Sequence, residues 1–309
     1  MQIAILDLGT NTFNLLIAES LDNKSYRILL NTKEGVKLGE GGINNKFITD
    51  TAFKRGIEAI GRHFDRMKQF KVDRIKAFGT SAIRDAANGK EFSDALKERF
   101  NLDITIITGD KEAELIFLGV RQTLPFSDKR IMILDIGGGS NEFIIADHHQ
   151  ILWKRSFKLG MARLLEKFQP SDPITAEEIR KVEDYLKQEL AELFENVSLY
   201  KPEVFIGASG SFDSFVAMLS SGGQLQHING DVFHEIPMDV YHILHLKLIK
   251  SSKQERDKLE GLEPVRRDMI VLATIFVNFV LRETRLQTIY QSAYSLKEGA
   301  VLEIINSAE

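Results

Sequence analysis

The 309-residue chain has no cysteine. That excludes disulfides, thiolate catalysis and cysteine-ligated zinc, and it suits a reducing compartment. Only six prolines are present and no segment is of low complexity; at 43% hydrophobic and 27% charged residues the composition is that of an ordinary globular protein. No apolar run approaches the roughly 18 residues a membrane span needs. The chain opens directly as a strand with no basic leader, so the expectation is a cytoplasmic protein with no membrane partner. A formal net charge of −4 does not advertise a nucleic-acid binder, and a polyanionic ligand would have to be held by a local site. The motifs G-x-x-x-x-G-K-[ST], G-x-S-x-G and H-E-x-x-H are all missing, which disfavours a Walker-type NTPase. The histidines offer little: His148 and His149 fall in a turn, and His242 and His245 stand three apart on a helix, where a surface or packing role outweighs metal ligation.

What is present centres on Ile131 to Asp147, reading IMILDIGGGSNEFIIAD. An apolar β-branched run leads into Asp135, then Gly137, Gly138 and Gly139, then Ser140, and a second apolar run follows. This predicts strand, tight turn, strand. Consecutive glycines expose backbone N–H groups without side-chain cover, as a phosphate cradle requires. Asp135 and Glu142 border the turn and are placed to hold a divalent metal against those phosphates. Shifted by 128 residues without a gap, Ile3 to Glu19 overlays the same stretch with seven identities, Asp7 on Asp135 among them, and Thr12 falls on Ser140. Seven identities in register point to duplication. At 309 residues the chain exceeds the roughly 250 to 300 at which single cores stop growing. The expected division is 1–122 and 123–296, with 297–309 as a candidate completion of the first unit.

Taken in order, the first hairpin is followed by a strand at 26–30, a glycine-rich loop at 37–42, a helix from Ile48 to Phe70 capped by Thr49 or Asp50, and a strand at 74–78. Gly79 to Asp85 opens a helix carrying Arg84; 102–108 reads as a strand and 110–122 as a helix. The second half repeats this with a third strand near 150–157, one long helix at 175–196 and a strand at 203–206. Gly207-Ala208-Ser209-Gly210-Ser211 then places free N–H groups at a helix N-terminus, an anion site. From Leu225 onward the chain reads as mostly helical. The class is α/β with antiparallel hairpin starts.

Two such units, each with an Asp-x-Gly hairpin facing a cleft, resemble the actin-like (ribonuclease H-like) superfold. Within it, DLGTNTFNLLIAE at 7–19, GTSAIRDAANGKEF at 79–92, ITGDKEAELIFLGV at 107–120, LDIGGGSNEF at 134–143, LGMARLLEKF at 159–168, GASGS at 207–211, VRRD at 265–268 and YSLKEGAVLE at 294–303 resemble the exopolyphosphatase and guanosine pentaphosphate phosphohydrolase family. The resemblance implies two duplicated domains with the ligand cleft between them, and hydrolysis of the terminal phosphoanhydride of inorganic polyphosphate. Its alternatives are a guanosine pentaphosphate 5′-phosphohydrolase, a kinase of the same superfold, and a non-catalytic alarmone-binding protein.

Carried over residue by residue, the resemblance makes Glu112 the general base, Arg84 a phosphate contact, and Asp135 and Glu142 metal and water ligands. Read without it, Glu112 is one of three acids, with Asp110 and Glu114, at a helix N-terminus, where carboxylates favour the helix dipole. Thr10, Asn11, Thr12, Gly137 to Ser140, Gly207, Ser209, Gly210 and Ser211 are expected to bind successive phosphates, and Mg²⁺ to lie near Asp7, Asp135 and Glu142. Asp7 and Asp135 should face one another across the cleft. Three positions depart from the family pattern: Glu114 and Lys37 stand where arginine is usual, and the late L-R-E-G reads Leu296-Lys297-Glu298-Gly299. Longer members append helical domains, so the resemblance implies distributive cutting of long chains here; a homodimer is a candidate assembly.

Overall fold

The computed structural model describes residues 1–22, 25–226 and 230–307. Its first half runs β1 (Gln2–Leu8), β2 (Thr12–Ser20), β3 (Tyr26–Gly35), α1 (Asp50–Met67), β4 (Arg74–Gly79), α2 (Ser81–Asp85), α3 (Gly89–Phe100), β5 (Ile104–Ile106) and α4 (Gly109–Arg121). Next come β6 (Ile131–Ile136), β7 (Asn141–Ala146), β8 (Ile151–Phe157), α5 (Met161–Phe168), α6 (Ala176–Glu189), α7 (Ala191–Tyr200), β9 (Val204–Ala208) and α8 (Gly210–Ser221). The chain closes with β10 (Phe233–Ile236), α9 (Met238–Lys250), α10 (Lys253–Arg256), α11 (Ile270–Thr284), β11 (Ile289–Ser292) and α12 (Leu296–Asn306). Among the described residues no helix is long and apolar enough to cross a membrane.

Strand order is β3-β2-β1-β4-β5 in one sheet and β8-β7-β6-β9-β11-β10 in the other, so the second repeats the first and adds one edge strand. The hairpins pair in equivalent register, Asp7 opposite Asn14 and Asp135 opposite Glu142, and β4 and β9 then join in parallel. This is the duplicated α/β architecture that the internal repeat implies.

Both faces of these central strands are covered, so alternation sorts one apolar set from another rather than apolar from polar. Ala4, Leu6, Leu15, Ile17, Met132, Leu134, Phe143 and Ile145 enter one core with the outer helices, α1 and α11 among them. Ile3, Ile5, Leu16, Ala18, Ile131, Ile133, Ile144 and Ala146 enter a second core with α4 and α12. These two helices thus lie between the sheets. The period of two carries Asp7 onto the inner face after Ile3 and Ile5, Asp135 after Ile131 and Ile133, and Glu142 before Ile144. α4 packs on β7 and β8, whereas α12, from the end of the chain, packs on β1 and β2. Where the two helices cross, Gly119 and Gly299 are required: a Cβ on either would stand 1.9 Å from a carbonyl oxygen of the opposing segment.

Several elements differ from the sequence reading. α3 was not anticipated; Phe92 and Leu96, four apart, bury one face of it, and Asn101 ends it in the left-handed conformation. The helix expected across 175–196 breaks at Leu190. Leu186, Leu190 and Leu193 are all buried, so the apolar spacing runs through the break and hides it. The strand expected at 102–108 is only the three residues of β5. The segment after Leu225 contains β10 and β11, four residues each, which are strands because β9 offers its edge to β11. Positions 227–229 of that segment, and the last two residues of 297–309, lie outside the described residues.

Candidate functional site

The two hairpin turns meet in one cleft with a volume of about 280 Å³. In each turn a glycine N–H donates across the loop at 3.0 Å, Gly9 to the Thr12 carbonyl and Gly137 to the Ser140 carbonyl. The outward carbonyls are occupied. Gly39 N donates to Thr10 O, Val36 N and Lys37 N both donate to Asn11 O, Met161 N donates to Gly137 O and Ala162 N to Gly138 O, while Arg163 Nε donates to Gly139 O at 2.7 Å. No described group accepts from the N–H of Thr10, Asn11, Gly138 or Gly139, so these donors remain for a ligand. The glycine-rich loop at 37–42 therefore supports the first turn. Gly138 and Gly139 are needed because the turns touch: a Cβ on Gly139 would lie 2.6 Å from Thr10 Oγ1 and 2.5 Å from Ser81 Oγ.

A third donor group comes from α8. Its N-cap, Ser209, has φ 69° and ψ 178°, a conformation that is close to glycine-only. The strained turn places Ser209 and Gly210 on the cleft wall, with the first N–H groups of α8 unpaired by the helix.

The acids on the inner face crowd together. Asp7 accepts from Asn14 Nδ2 at 2.9 Å, Asp135 from Ser295 Oγ at 2.5 Å, and Glu142 from Ser156 Oγ at 2.6 Å. Burial raises all three above ordinary carboxylate values. Asp135 is pushed up to about 6 with help from the charges of Asp7 and Asp213, and Glu142 to about 7 with help from Asp135. Asp7 is raised by burial and held back by Lys297 and Asn14. Glu112, on the first turn of α4, is raised well above the usual range by burial and then by Glu142, against Arg84. Arg84 Nη1 donates to Glu112 Oε2 at 3.2 Å and to the Ile107 carbonyl at 2.8 Å. A desolvated carboxyl beside a guanidinium and facing phosphate-type turns has the surroundings in which a carboxylate can accept a proton from water.

Sequence reasoning passed over Lys297, quoting it only as a departure. It lines the cleft at the start of α12, and its ammonium pairs with Glu298 Oε1 at 4.0 Å, with no closer carboxylate among the described residues. Burial alone would lower its pKa, but Glu298, Asp7, Asp213 and Asp135 raise it, so the ammonium is a fixed cation inside the acid cluster. Arg266 was also passed over; its guanidinium covers Gly210, where a Cβ would collide with it. The signal was the VRRD segment, whose second residue lines the cleft. Asp213 had no sequence signal beyond following GASGS.

The cleft brings together Asp7, Thr10, Asn11, Thr12, Glu112, Asp135, Gly137, Gly138, Gly139, Ser140, Ser209 and Gly210. Four expected residues do not line it. Glu142 is buried on its bond to Ser156, its charge acting on Glu112, and Arg84 stands beside Glu112. Gly207 is a correction: β9 turns Val204, Ile206 and Ala208 inward, so Gly207 faces outward, where a Cβ would strike the Phe212 ring at 2.1 Å. Ser211 is another, one step further along α8, opening onto a small crevice beside Arg266. Of the departures, Lys37 is tied to Asp268 Oδ2 at 3.0 Å. Glu114 lies outside the cleft, paired with Lys154 on β8 and with Lys111. The helical histidine His245 bonds Thr274 Oγ1 at 3.1 Å, a packing role.

Among the described residues no three His, Asp or Glu side chains close into a ready-made metal cage. Asp7 and Asp135 still fit a hard cation. Each is desolvated and repelled by its neighbours, and Mg²⁺ sites commonly use only one or two carboxylates, the other ligands being water and phosphate oxygens.

A model of the Ppx/GppA phosphatase family matches residues 16–308. The putative exopolyphosphatase of Haemophilus influenzae is 26% identical over 98% of this chain and 91% of its own length. The bifunctional 3-dehydroquinate synthase/phosphatase of Fusobacterium nucleatum is 31% identical over 97% of this chain, which spans 46% of that protein. Among solved structures, an exopolyphosphatase from Cytophaga hutchinsonii is 33% identical with a TM-score of 0.96, covering 100% of this chain and 99% of its own. A family member from Aquifex aeolicus shares the fold at a TM-score of 0.80 and 21% identity over 100% of this chain and 99% of its own. With duplicated sheets, paired phosphate-type turns and that match across nearly its whole length, the chain belongs to the Ppx/GppA phosphatase family.

Proposed function

We propose that the cleft binds the end of a phosphate chain and hydrolyses its terminal phosphoanhydride, releasing phosphate from inorganic polyphosphate or from guanosine pentaphosphate. The N–H groups of Thr10, Asn11, Gly138, Gly139 and Gly210 hold successive phosphates. Glu112 takes a proton from water as the water oxygen bonds the terminal phosphorus. The bridging P–O bond then breaks, and the shortened chain leaves with the bond's electron pair. Arg84 keeps the Glu112 carboxyl oriented, and Lys297 neutralises charge on the phosphate chain. Asp7 and Asp135 would hold Mg²⁺ together with substrate oxygens; when bound, it supplies further neutralisation of the transferring group. A cysteine-free chain and phosphorylated metabolites as substrates support a cytoplasmic setting. The packing of α12 against the first sheet supports units of 1–122 and 123–296 with α12 completing the first, α4 being the element of the first unit that crosses to the second sheet.

The observation that carries this reading is one desolvated glutamate, Glu112, facing two hairpin turns in which the N–H groups of Thr10, Asn11, Gly138 and Gly139 have no acceptor among the described residues. Glu114, where the family usually has arginine, lends no weight to the non-catalytic alternative, because it is paired outside the cleft. In a phosphate-release assay on tripolyphosphate and guanosine pentaphosphate, Glu112→Gln should lower turnover roughly 10²-fold or more while binding persists. Turnover within a few-fold of wild type would remove Glu112 as the base.

A further inference from the structure

Gly137, Gly138 and Gly139 each turn a carbonyl away from the cleft, and the start of α5 takes all three. Met161 N donates to Gly137 O at 3.0 Å and Ala162 N to Gly138 O at 2.8 Å, bonds that any helix seated there would supply. Gly160 lets the helix sit flush, since a Cβ on it would stand 2.3 Å from the Gly138 carbonyl carbon. The third acceptor, Gly139 O, is met by a side chain, Arg163 Nε at 2.7 Å. Arg163 is buried, and the rest of its fork crosses to the first unit. Nη1 donates to the Ile43 carbonyl at 2.9 Å, and Nη2 to Asp85 Oδ2 at 2.6 Å and to Ser81 Oγ at 3.4 Å.

A carbonyl and the N–H that follows it share one trans peptide plane and point in opposite directions. The bond that fixes Gly139 O outward therefore fixes the Ser140 N–H toward the cleft, which Ser140 lines, and no described group accepts from that N–H. We propose that Arg163 is a positioning residue for the phosphate chain: its Nε aims the Ser140 N–H, and its Nη groups set the spacing between the second turn and the first unit. Spacing matters because donors from both turns must reach one chain, and a misplacement of about 1 Å can cost about 10²-fold in rate. A planar guanidinium serves these directions at once, whereas an ammonium is a single point of charge. Asp85 has a second cation, Lys158 at 3.1 Å, so neutralising its carboxylate does not fall to Arg163 alone. The proposal rests on the phosphate-chain reading of the cleft and adds to it the residue that orients one of its donors.

Two substitutions separate aiming from charge. Arg163→Gln puts an amide nitrogen the same number of bonds from Cα as Nε, so it keeps a donor to Gly139 O and gives up the charge. Arg163→Lys keeps a charge beside Asp85 and gives up the aimed donor. With the folded fraction set by circular dichroism, kcat/KM for tripolyphosphate should fall about tenfold or more in the lysine variant and by less in the glutamine variant. An ion pair that only stabilises the fold predicts the reverse order, and a lysine variant as active as the glutamine variant, or more so, overturns the proposal. The second readout is the amide spectrum of the isotope-labelled full chain with Mg²⁺ and imidodiphosphate, a pyrophosphate analogue that resists hydrolysis. In wild type the Ser140 amide should shift together with those of Gly138 and Gly139; in Arg163→Lys the Ser140 shift should be lost while Thr10 and Asn11 still respond. A Ser140 amide that moves equally in the lysine variant overturns the proposal, and so does one that stays still in wild type while its neighbours move, a result that needs no variant to fold. If no amide of either turn responds in wild type, the phosphate-chain reading fails and takes the proposal with it.

Discussion

Replacing Asp135 by Asn should stabilise the metal-free protein while abolishing its chemistry. The Asp135 carboxyl is buried and titrates near 6 in the folded chain, against an ordinary value of 3.8. Because its folded pKa is raised, the native state holds more protons than the unfolded state between these values, so stability falls as pH rises through that window and the cost is complete above it. A shift of this size corresponds to about 3 kcal/mol at pH 8 and roughly half that at pH 5. Asparagine has no charge to desolvate, and its Oδ1 can still accept from Ser295 Oγ, which lies 2.5 Å from the native carboxylate. Equilibrium denaturant unfolding in EDTA should therefore show the variant ahead of wild type by about 1–3 kcal/mol at pH 8 and by about half that at pH 5. Adding Mg²⁺ with phosphate at pH 8 should narrow the gap, since a ligand that binds only the native wild type stabilises it by mass action. A difference that does not change with pH, or a variant less stable than wild type at pH 8, would refute the view of the inner-face acids as a desolvated, mutually repelling cluster.

Three further outcomes are expected. Glu114→Lys places like charge beside Lys154 and Lys111 and should cost about 1 kcal/mol, while the exchange Glu114→Lys with Lys154→Glu should recover most of it; a denaturation double-mutant cycle with no coupling would show that the pair does not anchor α4. Lys297→Met should lower kcat/KM for tripolyphosphate by roughly tenfold or more, with Lys297→Arg retaining most of it, and unchanged kinetics would remove Lys297 from the site. Gly299→Ala drives a Cβ to 1.9 Å from the Leu115 carbonyl oxygen and should cost about 1–3 kcal/mol or more by overpacking; an unchanged thermal midpoint would mean the α4–α12 crossing is looser than its geometry.

The hairpins, and the acids on them, were legible because each is a local pattern of apolar run, Asp-x-Gly turn and apolar run that occurs twice. The acid cluster followed from the same register, as Asp7, Asp135 and Glu142 share the parity of the inner-face isoleucines. What was not legible depends on contacts distant in sequence. β10 and β11 are four residues each and become strands only where β9 offers an edge. Gly207 read as part of an anion loop because GASGS has that composition, yet strand parity turns it under Phe212. Lys297 read as a weakened substitute for arginine; only the fold shows it standing among Asp7, Asp135, Asp213 and Glu298.

The placement of the proposed base and of the buried cation follows from how the halves are joined. Glu112 rides on α4, which comes from the first half of the chain and packs on the second sheet; Lys297 rides on α12, which comes from the end of the chain and packs on the first. Each helix therefore carries its charged group across the midline, and the two lock where Gly119 and Gly299 let their backbones touch. The first turn of α4 is held directly against the acid hairpin, with Gly109 packed on Ser156, the residue that donates to Glu142. A loop would have to order itself around such mutually repelling charges each time substrate arrived. Two buried, crossed helices hold them continuously, at the expense of the desolvated carboxylates that the pH dependence of stability should reveal.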